Sequence, residues 1–456
     1  MTYDALGRTI VHIDALSRTT RYSYDLAGRL LSVTAPDGTS QRYTYDSAGN
    51  ILTERDGNGH ITRYEYDLEG RMMRKTNPLG HNWYYRYDAA GHQIGVKTPS
   101  DQTIAQSYDA LGRLIEKSYA GETFVAFSYD ANGNCTVMTD TLGSSTYVYD
   151  ALNQLVESTD ADDRTVRYAY DAAGQRTDLT YPDGSKAQYT YDADGNLASV
   201  TAPDGGVTTY VYDALDRQVR VNQANGVTVQ RTYDGVGNVL SMTQKDASGV
   251  IFAQTLYTID QVNRRVQEVE TLVQDTITKT YAYDELGRLV SSVASDGTET
   301  QYAFDDAGNR TAMWGVRRRD RITEAYHVDY TYNAANQLLT EVDSATGKTT
   351  YAYDADGRRI VERSFERWAD YAYDAGGHLI EAQIKQWKGG EWVIKNGVTE
   401  QYVYDGSGRR VCKNTVSVAL ESVVSRRGYR YDDTQAWDVL QTYDDVASTT
   451  EDQYLY

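Results

Sequence analysis

The sequence predicts an all-β protein: tandem β-hairpin repeats forming one long antiparallel sheet, coiled into a spiral, hollow, barrel-like shell. Three observations carry this expectation. Tyr-Asp pairs recur with a near-constant period of 21 residues, Asp and Gly stand at fixed offsets within each period, and the intervening residues alternate with period two.

The period is clearest in the first half. Tyr3, Tyr24, Tyr45, Tyr66, Tyr87, Tyr108, Tyr129, Tyr149, Tyr170, Tyr191, Tyr212 and Tyr233 each precede an Asp, spaced 21 residues apart with a single 20. After Asp246 the rhythm loosens, then returns at Tyr283, Phe304, Tyr332, Tyr353, Tyr373, Tyr404 and Tyr431. The chain therefore reads as one continuous array over 1–456, regular over 1–246 and irregular, with longer hairpins, over 247–456.

One unit shows the local logic. In Tyr43-Thr44-Tyr45 the two rings fall on one face of a strand. Asp46-Ser47-Ala48-Gly49 follows as a turn, Asp suiting its first position and Gly supplying the left-handed conformation that returns the chain. Asn50 to Glu54 forms the second strand, and Asp56-Gly57-Asn58-Gly59 reverses the chain again. The same residues recur as Tyr24, Asp25 and Gly28; Tyr66, Asp67 and Gly70; Tyr108, Asp109 and Gly112; and Tyr191, Asp192 and Gly195. Pro36-Asp37-Gly38, Pro182-Asp183-Gly184 and Pro203-Asp204-Gly205 supply the alternate turn, with Pro presetting φ.

Two strands per repeat advance a sheet by roughly 10 Å, so about twenty repeats give a ribbon on the order of 200 Å wide. A twisted ribbon of that width must coil. A propeller would need about ten four-stranded blades, above the usual number.

Composition supports many short strands: 41 Tyr and 37 Gly stand against 5 Pro and 5 Phe. The net charge of -20 argues against nucleic acid as a partner. Arg317-Arg318-Arg319 is the one basic run and is expected to be a solvated loop. Cys135 and Cys412 have no metal-binding spacing and read as free thiols. No stretch approaches membrane-spanning length, and the chain opens inside a repeat without an apolar signal core, as a fragment of a longer array would.

Candidate chemistry is sparse. The carboxylates sit in turns, and a glycosidase pair is the weakest of three readings. The histidines His12, His60, His81, His92, His327 and His378 form no metal motif, and neither a nucleophile elbow nor a phosphate loop is present. No catalytic, cofactor-binding or metal residue is assigned, and the chain is not expected to be an enzyme. Calcium is the one cofactor alternative, because Asp192-Ala193-Asp194-Gly195-Asn196 and Asp56-Gly57-Asn58-Gly59 bring oxygen ligands and Gly together. The tyrosine rows read as cross-strand packing, with sugar stacking as the functional alternative. Trp314, Trp368, Trp387, Trp392 and Trp437 concentrate in the irregular half, where Gln386 to Trp392 reads as an extended hairpin able to contact a partner.

The unit Tyr-x-Tyr-Asp-x-x-Gly-(Arg/Asn)-Leu resembles the YD repeat of Rhs elements, Tc toxin complexes and teneurins, and the resemblance covers essentially the whole chain. It implies a hairpin strip spiralling into a hollow shell that, in bacterial members, encloses a C-terminal toxin until delivery by type VI secretion or a related route. The expected function is thus encapsulation of a polypeptide cargo such as a polymorphic toxin. The resemblance further implies a secreted or cell-surface location within a delivered complex, with a cytoplasmic stage before export. The alternative is a carbohydrate-binding or cell-surface adhesion module with glycans as partners. Self-association through edge strands is a further expectation. Complete Rhs proteins close with a core motif containing Asp-Pro-x-Gly, and this sequence has no Asp-Pro dipeptide. Its end, Arg430 to Asp433 and Gln453 to Tyr456, resembles the stretch before that motif, so toxin and self-cleavage activities are not expected of it.

Overall fold

A computed structural model describes residues 1–456 other than 121, 274, 320–321, 420–421, 432–438, 445–448 and 454–456. Trp437 and parts of the terminal stretch lie outside the described residues. The described strands belong to a single open antiparallel sheet, in which strands pair with their sequence neighbours rather than grouping into blades. The chain divides into two compact units, one of Met1–Asn82 with Thr208–Thr350 and one of Trp83–Val207 with Tyr351–Tyr456.

In the first unit the repeat is written plainly. Thr19–Tyr24, Leu30–Thr34, Ser40–Tyr45 and Ile51–Arg55 are consecutive strands. Tyr43 pairs with Glu54 and Thr44 with Thr53, after which the register shifts at Tyr45. That shift comes from the turn. Gly49 N–H donates to Asp46 O (3.3 Å) and Asp46 N–H to Asn50 O (3.0 Å), while Gly49 takes φ 99°. This is a type I turn followed by a left-handed bulge residue, and that position is why Gly is placed there.

The two faces of the sheet differ. On one, hydroxyls meet across strands: Ser23 with Ser32 (2.7 Å), Thr44 with Thr53 (2.6 Å) and Thr331 with Thr340 (2.7 Å). The other face carries the aromatic and branched residues. In the first unit Tyr326, Val328 and Tyr330 form a buried cluster with Met313, Tyr332 and Leu338 around it. In the second unit the same face buries Val166, Tyr168, Leu179, Ala187, Tyr189 and Val200. Their register is continuous, with Tyr168 opposite Leu179, Leu179 opposite Ala187, and Tyr189 opposite Val200. Burying a side chain such as Leu179 contributes about 1.5–3 kcal/mol.

The departures from the 21-residue rhythm are local. At the single 20-residue step Asp140 and Gly143 pair directly and close a two-residue turn, whereas a turn such as that between Ala35 and Thr39 encloses three residues. In the irregular part strands lengthen: Arg310–Arg319 pairs with Ile322–Tyr332 in the first unit. Arg317-Arg318-Arg319 therefore lies in a strand, correcting the loop expectation. Alternation turns Arg317 toward Tyr326, and it pairs with Glu324 (2.8 Å) and Asp343 (3.4 Å). In the second unit the extended hairpin forms as expected, with Trp387 opposite Trp392 across Gly389-Gly390, both at positive φ.

Candidate functional site

The conspicuous feature is a rung that repeats along the strip, built from the residues the sequence singles out. Each Tyr-Asp turn is held by its own carboxylate. Asp25 accepts Arg29 N–H (2.9 Å) on one oxygen and Arg29 Nε (2.6 Å) on the other. Asp46 accepts Gly49 N–H (2.8 Å), Asn50 N–H (2.9 Å) and Asn50 Nδ2 (2.9 Å). Asp67 does the same with Glu69 N–H, Arg71 N–H and Arg71 Nε (3.1, 2.8 and 2.7 Å). Asp109 repeats it with Leu111 N–H, Arg113 N–H and Arg113 Nε (2.9, 3.0 and 2.7 Å), and Asp192 with Asp194 N–H and Asn196 N–H (3.0 and 2.9 Å). Backbone donation from Arg29 and Arg113 holds the carboxyls of Asp25 and Asp109 below the usual carboxylate range, and the Asn50 amide does so for Asp46. Gly28, Gly49, Gly70, Gly112 and Gly195 all have φ between 76° and 99°.

The residue after that Gly joins one repeat to the next, a role the sequence reading did not assign. Arg8 Nη1 donates to Asp25 O (3.1 Å), and its guanidinium lies 4.8 Å over the Tyr24 ring. Arg29 does the same to Asp46 O and Tyr45, Arg113 to Asp130 O and Tyr129, and Arg217 to Asp234 O and Tyr233. One guanidinium thus ties its own turn, caps the next turn and stacks on the next Tyr. The Tyr completes the rung through its hydroxyl, which donates to the backbone of the preceding hairpin. Tyr24 reaches Thr9 O (3.0 Å), Tyr45 Leu30 O (2.7 Å), Tyr108 Gln93 O (3.0 Å) and Tyr191 Arg176 O (3.0 Å). Tyr66 is half-buried in the corresponding position, and burial pushes the Tyr45, Tyr66 and Tyr191 phenols up. The signal for the connecting role was in the motif: Arg or Asn recurs after the turn Gly, and period alone gives it no partner.

A second set of contacts lies within each unit, between stretches 247–280 residues apart. In the first unit Asn58 Nδ2 donates to Asp305 Oδ2 (2.9 Å), Asn336 Nδ2 to Asp56 Oδ2 (3.2 Å), and Arg288 Nη2 approaches Asp37 Oδ2 (3.9 Å). In the second unit Ser100 N–H donates to Asp356 Oδ1 (2.9 Å) and Gly406 N–H to Asp140 Oδ2 (2.6 Å). In every case the earlier stretch offers an alternate turn and the later stretch a Tyr-Asp turn or its equivalent, Phe304-Asp305 or Tyr332-Asn333. Asp405 and Arg409 form a buried ion pair at this seam (2.8 Å, side chains 8% and 10% exposed). They line a cavity of about 120 Å³ with Asp140, Asp160, Cys412 and Tyr431. Burial, followed by the nearby charge of Asp405, pushes the Asp140 carboxyl up against the bonds it accepts.

Carboxylates of the calcium candidates already accept hydrogen bonds: Asp192 from its own turn as described, and Asp56 from His60 N–H (2.8 Å) of its own turn and from Asn336 Nδ2 of a distant one. Among the described residues no group of three or more His, Cys, Asp or Glu could hold a metal ion. Four of the six histidines directly follow a turn Gly, His60 and His81 after alternate turns and His92 and His378 in the connecting position of a Tyr-Asp turn. His92 and His378 each place Nδ1 2.9 Å from the turn Asp. Among the described residues no helix is long and apolar enough to cross a membrane.

Comparison with known proteins agrees with this geometry. The Teneurin YD-shell family model matches residues 100–227 and 209–417, and the RHS Repeat model matches four overlapping windows from residue 3 to 103. A search of curated proteins finds no match. Among solved structures, the TcdB2-TccC3-TEV crystal structure aligns at 15% identity and TM-score 0.63, covering 97% of this chain. The Photorhabdus luminescens Tc holotoxin pore aligns at 15% identity and TM-score 0.64 over the same share. This chain spans 27% of the length of either of those chains, and the likeness establishes a shared fold. With family models matching from residue 3 to residue 417 and the Tyr-Asp rung formed in repeat after repeat, the chain belongs to the Rhs/YD-repeat family of structural shell proteins.

Proposed function

We propose that this chain is a wall segment of a YD-repeat shell that encloses and shields a polypeptide cargo, such as a toxin domain delivered within an exported complex. The observation that carries the reading is the doubled tethering of the strip. Rungs bind each hairpin to the next, and within each unit the turns of one stretch are bonded to those of another. A hydrogen-bonded sheet tied in both directions offers a protease few loose segments, as confinement requires. One of the similar solved structures is named as a Tc holotoxin pore, which is consistent with such a cargo. No part of this reading requires catalysis, because the turn carboxylates serve the turns.

Small-angle scattering with mass determination tests the proposal. A distance distribution weighted to large separations, with a hollow-particle minimum, supports enclosure; a compact solid profile overturns it.

A second reading, glycan binding, has one specific observation behind it. Most rung tyrosines spend their hydroxyls on backbone carbonyls, whereas Trp387 is 54% exposed and packs edge-on against Trp392, which packs on Trp368. Glycan-array binding lost in Trp387→Ala would favour this reading, and an empty array would remove it.

A further inference from the structure

Arg8, Arg29, Arg113, Arg217, Arg288 and Arg358 each spend Nη1 on the Asp carbonyl of the next turn. Arg264 holds the same connecting position before the turn at Asp284, and its guanidinium likewise lies 4.5 Å over the Tyr283 ring. Its Nη1 is buried, yet among the described residues that atom has no hydrogen-bond partner. Arg18 Nη1, from the alternate turn at Asp14, is in the same condition. Both arginines belong to the first unit, in stretches far apart along the chain.

The two nitrogens border one small space. A Cβ at Gly287 would stand 3.6 Å from Arg18 Nη1 and 3.7 Å from Arg264 Nη1. Beyond the adjoining chain, no other heavy atom of the described residues comes within 4 Å of that point. Gly287 takes φ 85°, a conformation that itself favours a residue without a Cβ. The other edge of each guanidinium is already engaged. Asp14 accepts Arg18 Nε (2.7 Å) and pairs with Nη2 (2.7 Å), and Asp260 does the same with Arg264 Nε and Nη2 (both 2.8 Å). Neither carboxylate serves Nη1.

Buried donors without an acceptor are costly, and two like charges around one gap add repulsion. A negatively charged acceptor between them answers both demands. A water would bring O–H groups that need acceptors of their own. The space is defined by one absent Cβ, which suits a monatomic anion better than a phosphate or a carboxylate.

We propose that Arg18, Arg264 and Gly287 form a chloride site, and that the bound ion ties the alternate turn at Asp14 to the Tyr-Asp turn at Asp284. The ion takes the part that the turn carbonyl plays in the other rungs, and it joins stretches that Asn58 and Asp305 join elsewhere by a direct bond. A net charge of -20 opposes anion binding, and added salt screens that opposition, so comparisons need matched ionic strength. This inference goes beyond enclosure and does not depend on it.

Thermal unfolding of the full chain in sodium chloride and in sodium gluconate, at equal ionic strength, tests it. Gluconate is too large for the space. The wild type should melt higher in chloride, by a margin that grows with chloride concentration as binding to the folded state requires. Arg18→Gln and Arg264→Gln should lose that margin. Gly287→Ala should lose it too, because its methyl group takes the place of the ion. Gly28→Ala carries similar backbone strain, at φ 89°, and should keep it. Each variant is compared with itself in two salts, so a general loss of stability cancels. If a glutamine variant fails to fold, Arg18→Lys replaces it, keeping the charge without Nη1. Chloride NMR reads binding directly: the wild type should broaden the line, and Arg18→Gln should not. Equal melting in the two salts at every concentration, or a chloride margin kept by either arginine variant, overturns the proposal.

Discussion

The regular part of the strip and the irregular part keep the same rung while changing almost everything else. In the regular part the Tyr hydroxyl reaches back 15 residues, as in Tyr45 to Leu30, Tyr129 to Leu114 and Tyr233 to Gln218. In the irregular part the reach is 18 residues at Tyr283, 22 at Tyr332, 14 at Tyr373 and 21 at Tyr431, yet the acceptor is always a carbonyl of the preceding hairpin. The added residues enter at the far end of the hairpin, around the alternate turn. The Tyr-Asp edge is thus the fixed part of the design, and the alternate edge is where length varies. The two parts differ as well in what covers the Tyr-Asp turns. Gly235 and Gly406 hold the same turn position, but nothing lies within 4 Å of a Cβ at Gly235, while one at Gly406 would lie 2.4 Å from Val125 Cγ2.

Four substitutions test that comparison. The largest effect is expected at the seam ion pair. Asp405→Ala leaves Arg409 buried without its partner and should cost about 3–5 kcal/mol in denaturant unfolding. Asp25→Ala, on the regular part, should cost clearly less, and equal losses would contradict the distinction between covered and open turns. Next is the glycine pair. Gly406→Ala should destabilise by about 1–3 kcal/mol because buried Val125 has no room to yield. Gly235→Ala should be neutral or gain about 0.4–1 kcal/mol through the unfolded chain. Similar melting curves for the two variants would show that the seam does not close in solution.

The rung itself is tested by Tyr45→Phe and Tyr332→Phe. Each removes one hydroxyl-to-carbonyl bond, to Leu30 and Arg310 respectively, and should cost about 0.5–1.5 kcal/mol. Equal losses despite reaches of 15 and 22 residues would confirm that rung geometry, rather than sequence spacing, is what the repeat preserves. The smallest effect is a pH dependence at His378, which faces Asp374, Asp405 and Lys117 and stacks on Tyr404. The bond to Asp374 raises its pKa above 6.5 against the opposing effect of burial. Its contribution is therefore complete below pH 6.5 and fades as pH rises through the folded value. Between pH 6 and 9 the wild type should lose slightly more stability than His378→Asn, and parallel stability curves would exclude the linkage.

Much of this was legible in the residues themselves. The period located the strands, and Asp46 with Gly49 specified the turn, because only a few residue types satisfy a type I turn closed by a left-handed residue. What the period could not convey was partnership. The position of Arg29 recurs with the same period as Asp25, but the three partners of Arg29 lie on two different hairpins. Arg317-Arg318-Arg319 looked solvated because charge runs usually are, and lengthened strands instead set Arg317 against Glu324 and Asp343. The 20-residue step at Tyr149 was visible as a number, and the direct pairing of Asp140 with Gly143 that accompanies it was not.

The sequence by itself determined the all-β class, the hairpin unit, the turn chemistry and the position where regularity ends. Those depend on interactions within one or two repeats, where side-chain alternation and backbone φ leave few choices. Tertiary structure alone decided which Tyr-Asp turns are covered and which stay open, and why Asp405 is buried when Asp25 is not. Those outcomes rest on contacts between residues some 250 positions apart, such as Asn58 with Asp305 and Asp140 with Gly406. Repeats that are nearly alike in sequence become different only through what the folded chain places beside them.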